Sequence, residues 1–101
     1  MRNSLKSSQF KSVLNNSKVY SFNNIKFKYQ KSLSGSIGFA INKKLGSAVE
    51  RNSFKRRCRS EFNKMKDFSI NLIVLPKTNV NNAGMGVVSA FEKLKNKIYN
   101  D

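Results

Sequence analysis

The sequence predicts an α+β fold: a two-layer sandwich built on a four-stranded sheet, in the order helix, strand, strand, strand, helix, strand, helix. Three observations carry this. Ile25-Lys26-Phe27-Lys28-Tyr29 alternates apolar and polar residues just after the turn-prone pair Asn23-Asn24. Ser69 to Leu75 is an apolar run closed by Pro76, the only proline in the chain. Phe54, Cys58, Phe62 and Met65 recur at helical spacing, as do Val87 or Val88, Phe91, Leu94 and Ile98.

Taken in chain order, Leu5, Phe10, Val13 and Leu14 mark a short amphipathic helix from about Ser7 to Asn15. Val19 to Phe22 and Ile25 to Tyr29 read as two strands joined at Asn23-Asn24. In the second, Ile25, Phe27 and Tyr29 share one face and Lys26 and Lys28 the other, so the aromatic side is either core or a stacking platform. Gln30 to Ser36 reads as a connecting turn, and Ile37 to Ile41 as a short, largely buried strand.

Asn42 to Gly46 breaks that strand, and Ser47 with Glu50 has the spacing of a capping box for a helix expected to reach about Lys66. The run Ser69 to Leu75 is expected at the centre of the sheet. Lys77 to Asn82 reads as a polar loop, Ala83-Gly84-Met85-Gly86 as a turn or the start of a helix. The last helix should expose Lys93, Lys95 and Lys97.

The partner class follows from charge. Lys and Arg number 20 against 5 Asp and Glu, a net +15 over 101 residues, with no acid before Glu50. Such a chain repels itself, and a polyanion that neutralises it releases counterions on binding. The stretch Gly46 to Arg59 concentrates this charge, with five cations and Asn52 on a helix that keeps an apolar stripe. At about 100° per residue, Asn52, Lys55, Arg56, Arg59 and Asn63 fall on one flank of the stripe, with Arg57 and Lys64 on the other. Guanidinium forks match pairs of phosphate oxygens, and Asn52 can meet a ribose hydroxyl or a base edge. With only Glu50 and Glu61 nearby, these cations lack the acids that would make them an ordinary solvated ion-pair face.

Other chemistries find little to stand on. There is no histidine, and Cys58 is the lone cysteine. An internal disulfide and a four-ligand zinc site are therefore both excluded, and Cys58 falls on the apolar stripe as a small core residue. No general acid/base pair, nucleophile triad or Gly-rich phosphate loop is evident. Apolar residues make up 39% of the chain and include eight Phe, which suits one domain over residues 1–101. No apolar run has the length of a membrane span, so a cytoplasmic location without membrane contact is expected. A small basic ribosomal or ribosome-assembly protein would share this pattern and is the alternative reading.

The segment Gly38-Phe39-Ala40-Ile41-Asn42-Lys43-Lys44-Leu45-Gly46-Ser47-Ala48-Val49-Glu50-Arg51-Asn52-Ser53-Phe54-Lys55-Arg56-Arg57-Cys58-Arg59 resembles the signature of the bacterial ribonuclease P protein subunit, which carries Lys-Lys, Gly, Ala-Val, Arg-Asn-Arg and Lys-Arg before a further Arg. Phe10 with Val13, Tyr29, and Phe68 to Pro76 extend a weaker resemblance over most of the chain. The resemblance implies a protein partner of a catalytic RNA that removes the 5′ leader of precursor tRNA, with the magnesium ions (Mg2+) held mainly by that RNA and no obligate protein partner.

It assigns Lys43, Lys44, Arg51, Asn52, Lys55, Arg56 and Arg59 to binding the RNA. Phe10, Phe27 and Tyr29 are assigned to a cleft for the single-stranded leader, floored by the sheet and bordered by the first helix. It also implies a left-handed strand-helix-strand crossover, against the usual right-handed one. Ser53 stands where the family has its second Arg, Leu14 where it commonly has an aromatic, and Ser60 where an acid or amide often follows the last Arg.

Overall fold

A computed structural model describes residues 3–32, 35–65 and 69–100. The expected order of elements is found, with three small additions. A two-residue strand β1 (Asn3–Ser4) precedes helix α1 (Ser7–Asn15) and strands β2 (Lys18–Phe22), β3 (Ile25–Lys31) and β4 (Ser36–Phe39). A 3₁₀ turn (Lys43–Leu45) leads into helix α2 (Ala48–Asn63), followed by β5 (Ile70–Pro76), a short α3 (Val80–Met85) and α4 (Val87–Tyr99). α3 lies where the polar loop and the glycine-containing turn were expected, because the Asn79 side chain accepts from the Asn81 N–H and starts a helix there.

The strands lie in the order β1-β4-β5-β3-β2, with β5 in the middle as its largely apolar sequence requires. β2 and β3 form an antiparallel hairpin in the register Phe22 with Ile25 and Tyr20 with Phe27. Asn23 and Asn24 both take positive φ, 53° and 63°, which matches the right-handed twist of the flanking strands and is a backbone region that Asn tolerates well. β4 pairs parallel to β5, so α2 is the body of a crossover between two adjacent strands. β3 runs two residues beyond the expected end and β4 starts at Ser36. The connecting turn is thus shorter than anticipated, and Ser34 within it lies outside the described residues.

The pleat sorts the sheet into two faces. Ile25, Phe27 and Tyr29 of β3, Ile37 of β4 and Ile70, Leu72 and Val74 of β5 pack with Phe54, Cys58 and Phe62 of α2, Val80 and Ala83 of α3 and Phe91 and Leu94 of α4 in one core. Phe27 and Phe91 meet edge to face, with centroids 5.1 Å apart. α1 lies on the opposite face, where its Val13 is buried and where Gly38 brings the sheet backbone up to Leu5 and Phe10. α1 covers only part of that face.

α2 ends at Asn63, about three residues short of the expected end. Its last turn tightens as the N–H groups of Lys64 and Met65 donate to the carbonyls of Glu61 and Phe62. Met65 is still buried, now as the second residue after the helix. Asp67 and Phe68, expected to end the helix region, lie outside the described residues.

Gly46 sets the approach of α3 to the start of α2. A Cβ there would fall 2.6 Å from Cγ2 of the buried Val80. Gly46→Ala is therefore expected to cost about 1–3 kcal/mol, a fall in melting temperature of roughly 4–20 °C, read by thermal unfolding followed by circular dichroism.

Candidate nucleic-acid interface

Helix α2 is fixed from its start. The Ser47 hydroxyl accepts from the Glu50 N–H at 3.2 Å, and the Glu50 carboxylate accepts from the Ser47 N–H at 2.9 Å. The side-chain amide of Asn81 on α3 donates to the other Glu50 oxygen. The Ser47 backbone donor first, then the Asn81 amide and the Ser47 hydroxyl, hold the Glu50 carboxyl below its usual range. Further along, Phe54, Cys58 and Phe62 are buried against the sheet as the wheel predicts, and burial pushes the Cys58 thiol well above its ordinary pKa.

That anchoring decides where the cations go. Asn52, Arg56, Arg59 and Asn63 are exposed and Lys55 is half-buried, all on the one flank. Lys55 Nζ lies 6.0 Å and the Arg59 guanidinium carbon 5.3 Å from the centroid of the Phe39 ring, so one aromatic ring seats two cations at the end of β4. Arg56 has no hydrogen-bond or ion-pair partner among the described residues. Lys43 and Lys44 stand exposed in the 3₁₀ turn, whose start is fixed by Asn42 Oδ1 accepting from the Lys44 N–H at 2.9 Å.

Arg51 is half-buried, its Nε shut from solvent and without a partner. An unpartnered desolvated donor costs about 1–3 kcal/mol, a cost that an arriving anion would offset. Lys43, Lys44, Arg51, Asn52, Lys55, Arg56 and Arg59 thus lie along one continuous stretch of α2 and the turn before it.

The acids near this helix are engaged elsewhere. Glu50 faces α3, and Glu61 pairs with Lys64 at 2.9 Å. Both stand on the far flank with Arg57, whose Nη1 donates to the Gly84 carbonyl at 3.3 Å. Ser53 and Arg57 line the same groove between α2 and α3, one helical turn apart. Arg57 is therefore next to the place that Ser53 leaves without a cation.

The expected leader-cleft residues are not brought together. Phe27 is 0% and Tyr29 3% exposed, on the face that packs α2 and α4, whereas Phe10 is half-buried on the α1 side. The correction follows from the pleat: once Ile25, Phe27 and Tyr29 face the core, Lys26, Lys28 and Gln30 face α1. Lys28 Nζ donates to the Leu14 carbonyl at 3.3 Å, and Gln30 Nε2 to Ser12 Oγ at 3.2 Å. The lysines of this face were missed as site candidates, although their alternation with the aromatics was the signal that could have found them.

The class so defined is that of small basic α+β proteins whose crossover helix presents a cationic flank beside the sheet. The Ribonuclease P family profile matches residues 2–99. The chain belongs to that family, and so to the proteins of tRNA processing by ribonuclease P.

Among solved structures it is similar to the ribonuclease P protein of Staphylococcus aureus, with a TM-score of 0.80 at 18% identity, covering 97% of this chain and 95% of that one. It is also similar to the protein of Thermotoga maritima, with a TM-score of 0.66 at 20% identity over 98% of this chain and 94% of that one. No curated protein sequence matches.

Proposed function

We propose that this protein is the RNA-binding subunit of a ribonuclease P holoenzyme, which holds the catalytic RNA on the α2 flank and assists endonucleolytic removal of the 5′ leader from precursor tRNA. The observation that carries the reading is the set of cations Lys55, Arg56 and Arg59 on one flank of α2, extended by Lys43 and Lys44 in the turn before it, with both neighbouring acids turned away and the Arg51 Nε left without an acceptor. Family membership supports an RNA as the partner.

The cutting chemistry belongs in this reading to the RNA and its magnesium ions. The chain's share is positive charge that keeps two polyanions together, the catalytic RNA and the precursor tRNA. Among the described residues no three His, Cys, Asp or Glu converge to hold a metal ion. No described helix is long and apolar enough to cross a membrane, and a cytoplasmic site of action fits the proposal.

The test is reconstitution. Purified protein incubated with precursor tRNA should leave it intact, and addition of the cognate RNA should release the leader. At low magnesium the RNA alone should cut more slowly than the complex. Robust cleavage by the protein alone would overturn the reading.

A further inference from the structure

Phe39 is the last residue of β4, and its register partner on β5 is the core residue Val74. The pleat therefore turns the Phe39 side chain to the face of the sheet that packs α2, where the ring lies half-buried against the core. An aliphatic side chain would fill that place as well. What a ring adds is a negatively charged face, and Lys55 Nζ and the Arg59 guanidinium carbon stand over it at 6.0 and 5.3 Å from the centroid.

Lys55 and Arg59 are one turn apart on α2, and like charges at that spacing repel. Neither has a hydrogen-bond or ion-pair partner among the described residues. Glu50 is taken up by Ser47 and Asn81, and Glu61 by Lys64, so no acid on this helix holds the two cations. Among the described residues the Phe39 ring is the group that draws them together. Free lysine and arginine side chains sample many rotamers, and an RNA that binds them must remove that freedom. Cations already gathered over a ring have lost part of it before the RNA arrives.

We infer that Phe39 is a positioning residue for the RNA: the negative face of its ring gathers Lys55 and Arg59 into an ordered pair that receives the phosphate backbone, and the ring itself does not touch the RNA. This rests on the function proposed above and adds to it the group that orders two of its contacts.

The experiment changes the charge of the ring and keeps its shape. Chains with mono-, tri- or pentafluorinated phenylalanine in place of Phe39 are combined with the cognate catalytic RNA, and affinity is read by filter binding at about 0.15 M salt. Fluorine drains the ring face of negative charge, so affinity should fall step by step along the series, to about three- to tenfold below wild type in the pentafluorinated chain. The melting temperature should hardly move, because each ring fills the same place. Phe39→Leu should bind more weakly as well, and Phe39→Tyr as the wild type does. With Lys55→Met and Arg59→Met both in place the fluorine series should be flat, since no cation remains over the ring.

An affinity indifferent to fluorine in the otherwise natural chain, at unchanged melting temperature, overturns the inference and leaves the subunit role standing. So does a series that persists in the chain with both methionines, the result expected if the ring itself stacks on a base. A wild-type chain that binds the cognate RNA no more tightly than an unrelated RNA of equal length overturns the proposed function and the inference with it.

Discussion

Replacing Arg56 and Arg59 together by alanine should weaken binding of the catalytic RNA by about 2 kcal/mol, roughly thirtyfold at about 0.15 M salt. Arg56 is exposed and unpaired among the described residues, and Arg59 rests on Phe39 with its guanidinium at the surface, so neither holds the fold together. The loss should therefore show in binding and hardly at all in the melting temperature.

Salt supplies the sharper measure, because each phosphate contact contributes about 0.9 to the slope of log K against log salt for duplex-like RNA and about 0.7 for single strands. Two lost contacts should flatten the slope by about 1.4–1.8. An unchanged slope would take both arginines out of the phosphate contacts. Arg57→Ala is the internal comparison, since its guanidinium is held at the Gly84 carbonyl on the other flank.

That contrast between flanks was legible in the sequence, and the reason is geometric. Once Phe54, Cys58 and Phe62 are recognised as the buried stripe, a helix of fixed pitch leaves the other residues no freedom of direction. The capping box of Ser47 and Glu50 and the Asn23-Asn24 hairpin were equally legible, because each is decided by residues within a few positions of one another.

What was not legible depended on contacts distant in sequence. Glu50 lies near Arg51 in the chain, yet it is drawn to Asn81 on α3, a helix that local periodicity did not reveal. The family resemblance gave Arg51 the same role as its neighbours, whereas packing half-buries it and seals its Nε. That Phe27 and Tyr29 are buried on the face away from Phe10 was not legible for a related reason. Alternation states that a strand has two unlike faces without stating which one meets the larger layer of helices, and here helices stand on both sides of the sheet.

Phe27→Ala is the substitution that separates those two faces by experiment. The ring is fully buried against Phe91, with its strand neighbours Tyr20 and Val74 paired to either side. Truncating a buried phenylalanine costs about 3–5 kcal/mol, the transfer of the ring plus the cavity it leaves. A chain of this size has about 5–15 kcal/mol in all, so the melting temperature should fall by more than about 12 °C and a large unfolded fraction should follow on warming.

Phe10→Ala removes a half-buried ring that covers Gly38 on the opposite face, where the loss should be about 1–2 kcal/mol. Thermal unfolding by circular dichroism reads both variants, and precursor binding is measured at a temperature where each is still folded. Phe27→Ala should then bind precursor tRNA as the wild type does, because no part of its ring reaches the α1 side. If it instead keeps its melting temperature and loses the precursor, the aromatic face of β3 is the one that meets the leader, and the layer of α2 and α4 must move aside to admit it.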